Sequence, residues 1–413
     1  MTVLAGGGTP ARPQLIRALN EQLLLEHIRN AGKLSRADLA RISSLSKNTV
    51  SLALANLERA GLVRTSGVRT GAPGPAALLY EVHPEVGFVL GLDVGRQFLR
   101  GAISDFTGTI RARSTLKVRA SGGRGRVAEL ARLAETLYEQ AGVRAPDITQ
   151  TVLGSPGVYD PQRDALTLAG ALTGWEKPVV LAELRRAFGP ALMIENDIDA
   201  AALAERAHGH GRDVDSFAFV SVGTGVGMGL VLGGRLHRGA HGAAGEIGYL
   251  PFDSGAGTDA EDARKRGSLE AAASGAGIVR AARSSGVRGA VSARHVFGAA
   301  DKGDALAAKV VADEALLIAK AICAIVTVAD PHLIVLGGGV GQAAGFLNAV
   351  GIELRRLAPV LPELRVSALG ADAVVDGCLA AGLERAWEIV TLASTAPLDA
   401  NATPPPSPNG ARP

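Results

Sequence analysis

Three glycine-rich junctions in this chain have the make-up of phosphate-binding turns. Asp93-Val94-Gly95 follows the apolar run 88–92, Gly223-Thr224-Gly225-Val226-Gly227 follows 217–221, and Gly337-Gly338-Gly339 follows 333–336. Glycine lets backbone N–H groups come close to phosphate oxygens where a Cβ would stand in the way. Any one of these could be an ordinary tight turn; their order and separation make the phosphate reading specific. A second chemistry lies near the N-terminus. Ser46, Lys47, Asn48, Thr49 and Ser51 are short or cationic polar side chains able to reach base edges or phosphates from the start of a helix.

The elements that would position the N-terminal group form a winged helix-turn-helix over residues 12–83. Residues 12–31 carry Leu15, Ile16, Leu19, Leu23, Leu24 and Ile28 close to helical spacing. Ser35 and Asp38 read as a capping box for a second helix that buries Leu39, Ala40 and Ile42. Ser46 can cap a third helix with Val50, Leu54 and Leu57 inside. Ala40, Ser44, Leu45 and Val50 fill the small, turn and apolar slots that let two helices cross closely, with Ser44 where glycine is usual. Residues 61–65 and 76–82 then read as the strands of a wing around the loop 71–75, with Arg64 and Arg69 able to reach a nucleic-acid backbone. Residues 1–80 hold ten basic and four acidic side chains, a net +6 against +3 for the whole chain. A basic head on a mildly acidic body suits a module that binds nucleic acid.

The elements behind the glycine turns differ. Residues 88–93, 99–104 and the strand after the turn 105–108 read as a β-meander, and residues 217–221 and 228–232 begin a second one. Two related meanders, each with a phosphate-type turn, describe the actin-like ATPase architecture, in which two lobes close on a ligand between them. The expected lobes are about 86–197 with a C-terminal helix 376–391 packed back on them, and 198–375. The fold class is therefore α/β, a winged helix-turn-helix followed by a two-lobed actin-like domain over 86–392.

Five motifs in order, Gly154-Ser155-Pro156-Gly157, Gly174-Trp175, Glu195-Asn196-Asp197, the 223–227 turn and Gly245-Glu246-Ile247-Gly248, resemble the ROK family of repressors, open reading frames and sugar kinases. The resemblance covers about 86–390, and the head matches the family's repressor branch. It implies that Asp197 would be the general base of a kinase, deprotonating the attacking sugar hydroxyl. It further implies that Asn196, Asp197, Glu246 and Glu270 bind sugar hydroxyls, with the Gly157 loop beneath the ring. Carboxylates and an amide suit this role, because a pyranose presents paired hydroxyls that they can bind bidentately.

Departures from the family pattern carry information too. Kinases of the family have Asp-x-Gly-Gly-Thr at the first turn, whereas here Gly95 is followed by Arg96 and Gln97. A bulky side chain and a missing hydroxyl should impair MgATP placement. The family's zinc site is absent: Glu261, Ala263 and Ser268 stand at its cysteine positions and Tyr249 at its histidine, and Tyr is a poor zinc ligand. Tyr249 is expected to hydrogen-bond the sugar or pack beneath it. The expectation is a sugar-responsive regulator, a repressor that binds operator DNA and a monosaccharide or derivative as a homodimer or dimer of dimers. It needs no metal or cofactor, unless an active kinase should require MgATP.

Composition agrees. The chain has 413 residues, 47% hydrophobic and 20% charged, enough for two or three globular domains. It has no apolar run long enough to span a bilayer, and residues 1–12 do not resemble a secretory leader. Cys323 and Cys378 are the only cysteines, which excludes a disulfide framework and fits a cytoplasmic setting. Residues 393–413, rich in Pro, Ala and Asn, read as a disordered tail.

Overall fold

The computed structural model describes residues 13–69, 76–170, 172–252 and 260–395. The chain divides into two compact units, residues 1–87 with 105–107 and 384–413, and residues 88–104 with 108–383.

The first unit holds α1 (Pro13–Ala31), α2 (Arg36–Ser43) and α3 (Lys47–Arg59). A hairpin of β1 (Val63–Arg69) and β2 (Ala77–Val82) follows, and residues Leu34–Ser35 pair with β2 as a third strand. Ser35 and Asp38 form the capping box of α2, and Ser46 caps α3 by accepting from the Thr49 N–H at 3.1 Å. Ser44 closes α2 in the left-handed region, with φ 57°. The residue in the glycine slot thus adopts the glycine conformation, which is what lets α3 turn away so sharply.

Burial divides the α1 stripe. Leu24, Leu25 and Ile28 are buried, whereas Leu15, Ile16 and Leu19 are about half exposed (52%, 50% and 54%). Ile42, expected inside, is 38% exposed, so Leu39 carries the α2 contact. The helical period found the apolar face of α1, but only its C-terminal half meets α3 and the hairpin. The wing loop 71–75 lies outside the described residues.

The second unit is built on two five-stranded sheets. The first consists of β3 (Phe88–Val94), β4 (Phe98–Asp105), β5 (Ile110–Lys117), β6 (Ile148–Ser155) and β7 (Leu192–Asn196), in spatial order β7-β6-β3-β4-β5. The second consists of β8 (Phe217–Val222), β9 (Val226–Leu232), β10 (Arg235–Leu236), β11 (Leu333–Gly337) and β12 (Glu363–Val366), in order β10-β9-β8-β11-β12. Both sheets thus place the first strand in the middle, the following meander on one side and two later strands, paired in parallel, on the other.

Helices α4 (Gly123–Ala141) and α5 (Pro178–Phe188) cover the first sheet. Among those on the second are α7 (Ser268–Ala273) and the long α8 (Ala305–Ala329), which buries Ile318, Ile322 and Ile325. Helix α6 (Asp197–His208) leaves the end of β7 and packs on β9 so closely that a Cβ at Gly229 would lie 2.6 Å from that of Ala202. The last helix, α9 (Ala373–Thr395), starts earlier and ends later than expected. Residues read as the start of the tail are therefore helical, and 396–413 lie outside the described residues. No described helix is long and apolar enough to cross a membrane.

Candidate functional site

The site is assembled where β3, β7 and β8 end. Asn196 is the N-cap of α6, and its Oδ1 accepts from the N–H groups of Ile198 (2.8 Å) and Asp199 (3.1 Å). Its Nδ2 donates to the Gly157 carbonyl at 2.9 Å. One amide therefore both starts the helix and ties down the Gly157 loop. Gly157 has φ 82°, and a Cβ there would sit 2.4 Å from the Thr167 carbonyl oxygen, so the loop closes only with glycine.

Asp197, the first residue of α6, faces other acids. Burial first, and then the charge of Asp93, push its carboxyl up to about 7, with Glu246 adding to the rise. Glu246 is itself raised by burial and by Glu270. Glu270, on α7, accepts from the Val226 N–H at 3.0 Å and lies against Gly225, which joins it to the second glycine turn. Asp93, Asp197, Glu246 and Glu270 thus come together as successive neighbours. Crowding acids in one cleft is unfavourable unless hydroxyl donors or cations occupy it.

Tyr249 lies beside the same acids. It lies close enough to Glu246, Glu270 and Glu176 for their charges to add to burial in raising its phenol. Its hydroxyl donates to the Lys265 carbonyl at 3.1 Å, so Tyr249 ties down the segment bearing the degenerate metal positions. Residues 253–259 of that segment lie outside the described residues. Among the described residues no three His, Cys, Asp or Glu side chains group so as to hold a metal.

The two phosphate-type turns have diverged. At the second, Gly223 N–H donates to the Gly225 carbonyl at 2.9 Å, Thr224 is exposed, and Gly338 and Gly339 pack beside Gly223. At the first, Arg100 Nη1 donates to Asp93 Oδ2 at 3.1 Å. Arg126, a buried residue of α4, donates to the carbonyls of Gly95 (2.9 Å) and Arg96 (3.4 Å). Burial outweighs the Arg100 charge and holds the Asp93 carboxyl up at about 6.

Sequence reasoning missed Arg100, Arg126 and Glu176, whose Oε1 accepts from the Ala169 N–H at 2.6 Å beside the Gly157 loop. Arg126 and Gly95 are 31 residues apart, and no local pattern marks such a pair.

On the head, Lys47 and Asn48 are exposed at the start of α3, with Ser51 half-buried on its next turn. Ser46 and Thr49 share a hydroxyl–hydroxyl bond of 2.9 Å. Arg64 pairs with Glu81 on the neighbouring strand, Nε to Oε1 at 2.9 Å. Arg69 likewise pairs with Asp38 at 3.0 Å. Glu81 on β2 and Asp38 on α2 thus pair with the two wing cations, whose side chains stay about half exposed.

A winged helix-turn-helix joined to a duplicated, sugar-kinase-type α/β fold defines the class, and comparison with known proteins agrees. Residues 89–374 match the ROK family model, and residues 19–64 match a winged helix-turn-helix DNA-binding model. The chain belongs to the ROK family. It is 31% identical to a ROK hexokinase from Thermus thermophilus, whose structure it matches over 73% of this chain and 99% of that one with a TM-score of 0.64. A ROK family transcriptional regulator, a homolog of the E. coli MLC protein, matches over 92% of this chain and 99% of that one at 23% identity and a TM-score of 0.73, a likeness of fold that includes the head. The xylose repressor of Caldicellulosiruptor bescii is 24% identical over 243 residues, 58% of this chain. The match spans 60% of that repressor's length.

Proposed function

We propose that this chain is a sugar-responsive transcriptional regulator, a repressor that binds operator DNA through α3 and a monosaccharide or derivative in the acidic cleft. The observation that carries this reading is the contrast between the two halves of the cleft. The sugar-type residues Asn196, Asp197, Glu246 and Glu270 are gathered, whereas Arg100 and Arg126 occupy the first phosphate turn. A carboxylate already paired with a guanidinium is a poor magnesium ligand, and Arg96 stands where the family's kinases have the second glycine of the turn. That turn does not fit MgATP, and Tyr249, Glu261, Ala263 and Ser268 do not fit zinc. The protein works without a cofactor, in the cytoplasm, as a homodimer or dimer of dimers reading two half-sites. A coupling of about 1–3 kcal/mol between cleft and head would change DNA affinity about 5- to 150-fold.

The test is a thermal-shift screen with D-xylose, D-glucose, amino sugars and sugar phosphates, each with and without MgATP, followed by DNA selection from a random pool. A sugar at about 100 times its Kd adds roughly 2.7 kcal/mol. A shift without nucleotide, lost in Asp197→Ala, and altered retention of the selected DNA support the regulator. No shift with any sugar would sink it.

One observation favours a second reading, an ATP-dependent sugar kinase: Asp197 titrates at about 7, where a general base works best, beside an intact second turn. ADP release that requires sugar and disappears in Asp197→Asn would establish it.

A further inference from the structure

The loop 238–246 begins on the second sheet and ends in Glu246. Its first side chain crosses to the first sheet. Arg238 Nε donates to Glu195 Oε1 (3.2 Å) and Oε2 (3.1 Å), and Nη2 donates to Oε2 at 2.5 Å. Glu195 is buried on β7, directly before Asn196 and Asp197. Midway along the loop, Gly242 lies against Val158 and Tyr159, just beyond Gly157; a Cβ on it would be 3.0 Å from the Tyr159 carbonyl oxygen. At its end the Gly245 carbonyl accepts from the Met228 N–H at 3.0 Å, which sets Glu246. The Ala244 N–H donates back to the Arg238 carbonyl at 3.1 Å and closes the loop on itself.

The loop therefore touches the first sheet's side of the cleft at two places. Asp199 is a second buried acid within the field of Arg238, and its Oδ1 finds no hydrogen-bond partner among the described residues. Glu195 holds the guanidinium in the two-point geometry that fixes direction as well as distance.

We propose that Glu195 and Arg238 are positioning residues: their ion pair straps the loop 238–246 across the cleft and sets Glu246 against Asn196 and Asp197. The consequence for sugar binding rests on the regulator reading above; the strap itself does not. Removing Arg238 leaves the buried Glu195 carboxylate without its two-point partner, and removing the Glu195 charge takes away the anchor on β7 of the half-exposed guanidinium, so the loop should be the part that gives way.

The experiment is amide hydrogen exchange on the full chain with Glu195→Gln, Arg238→Met and Arg238→Lys, alongside calorimetric titration with D-xylose and D-glucose. Exchange at 239–246 should quicken about 10-fold or more in the first two variants and less in Arg238→Lys, which keeps the charge without the fork. Any sugar that binds the wild type should bind Glu195→Gln about 10- to 100-fold more weakly. If the loop loosens as expected while the wild type binds neither sugar, the strap stands and the sugar reading falls for those two. Unchanged exchange at 239–246 overturns the strap, and so does a uniform rise across both sheets, which would make the pair a general stabiliser.

Discussion

Asp199 offers a test of the cleft electrostatics that needs no ligand. It is 3% exposed, with Oδ1 lacking a partner. Burial first, and then the charge of Glu195, against the opposing pull of Arg238, raise its carboxyl to about 8. In the unfolded chain it titrates near 3.9. Between those values the folded protein holds a proton that the unfolded chain has released, so stability falls as pH rises through the window from about 4 to about 8. Each pH step inside the window costs about 1.4 kcal/mol, which puts the cost of this one group near 4 kcal/mol at pH 7. Asp197 and Asp93 are raised as well, to about 7 and about 6, and their windows overlap with this one from below. Replacing Asp199 with Asn keeps the shape and removes only its own share.

The assay is guanidinium unfolding from pH 5 to 8, followed by Trp175 fluorescence in a Trp387→Phe background. Trp175 is fully buried in the second unit, with Nε1 on Ser155 Oγ at 2.8 Å, so it reports that unit. Asp199→Asn should gain on its parent as pH rises, by at least about 2 kcal/mol at pH 8 relative to pH 5. Parallel stability curves for the two proteins would refute the burial argument. A gain that shrinks with pH would reverse its sign.

Three further outcomes are expected. Ser44→Gly should stabilise the first unit by about 1 kcal/mol, because a left-handed residue with a side chain is strained; a melt of the isolated α1–β2 segment that shows no rise would contradict this. Asn196→Ala should cost the second unit about 1–2 kcal/mol in guanidinium unfolding through the lost cap, while Asn196→Asp retains the cap and frees only the Gly157 loop, seen as faster amide exchange near Gly157. On selected DNA, Lys47→Ala should lower affinity for all sequences and reduce the salt slope by about 1, whereas Asn48→Ala should relax sequence preference. Equal losses for Asn48→Ala on specific and random DNA would contradict that division.

What could be read from the sequence follows from how far apart the partners lie. Ser35 with Asp38, Ser46 with Thr49, and Asn196 with Ile198 and Asp199 are neighbours, so caps and turns were visible in the residue order. The Ser44 turn was visible for the same reason, even without glycine. The two β-meanders were legible because a strand, a glycine turn and a return strand are also local. Periodicity marks an apolar face but not what covers it, and hence Ile42, expected inside, and the N-terminal part of the α1 stripe (Leu15, Ile16 and Leu19) are left exposed by the fold.

The side chains that tune the cleft come from elsewhere in the chain. Arg126 reaches Gly95, Arg238 reaches Glu195, and Tyr249 reaches Lys265, each across a gap that only the folded sheets close. These contacts change the reading of the motifs they touch. Asp93 is a phosphate-turn residue by position, yet Arg100 pairs with it; Tyr249 stands at a metal position, yet its hydroxyl goes to backbone. The duplicated sheets thus carry two glycine turns in different settings, one hydrogen-bonded by Arg126 beside the Arg100–Asp93 pair and one against Glu270. If the carboxylates bind a sugar while the first turn binds no nucleotide, ligand binding would act through conformation and not turnover, which is the premise of the proposed regulator.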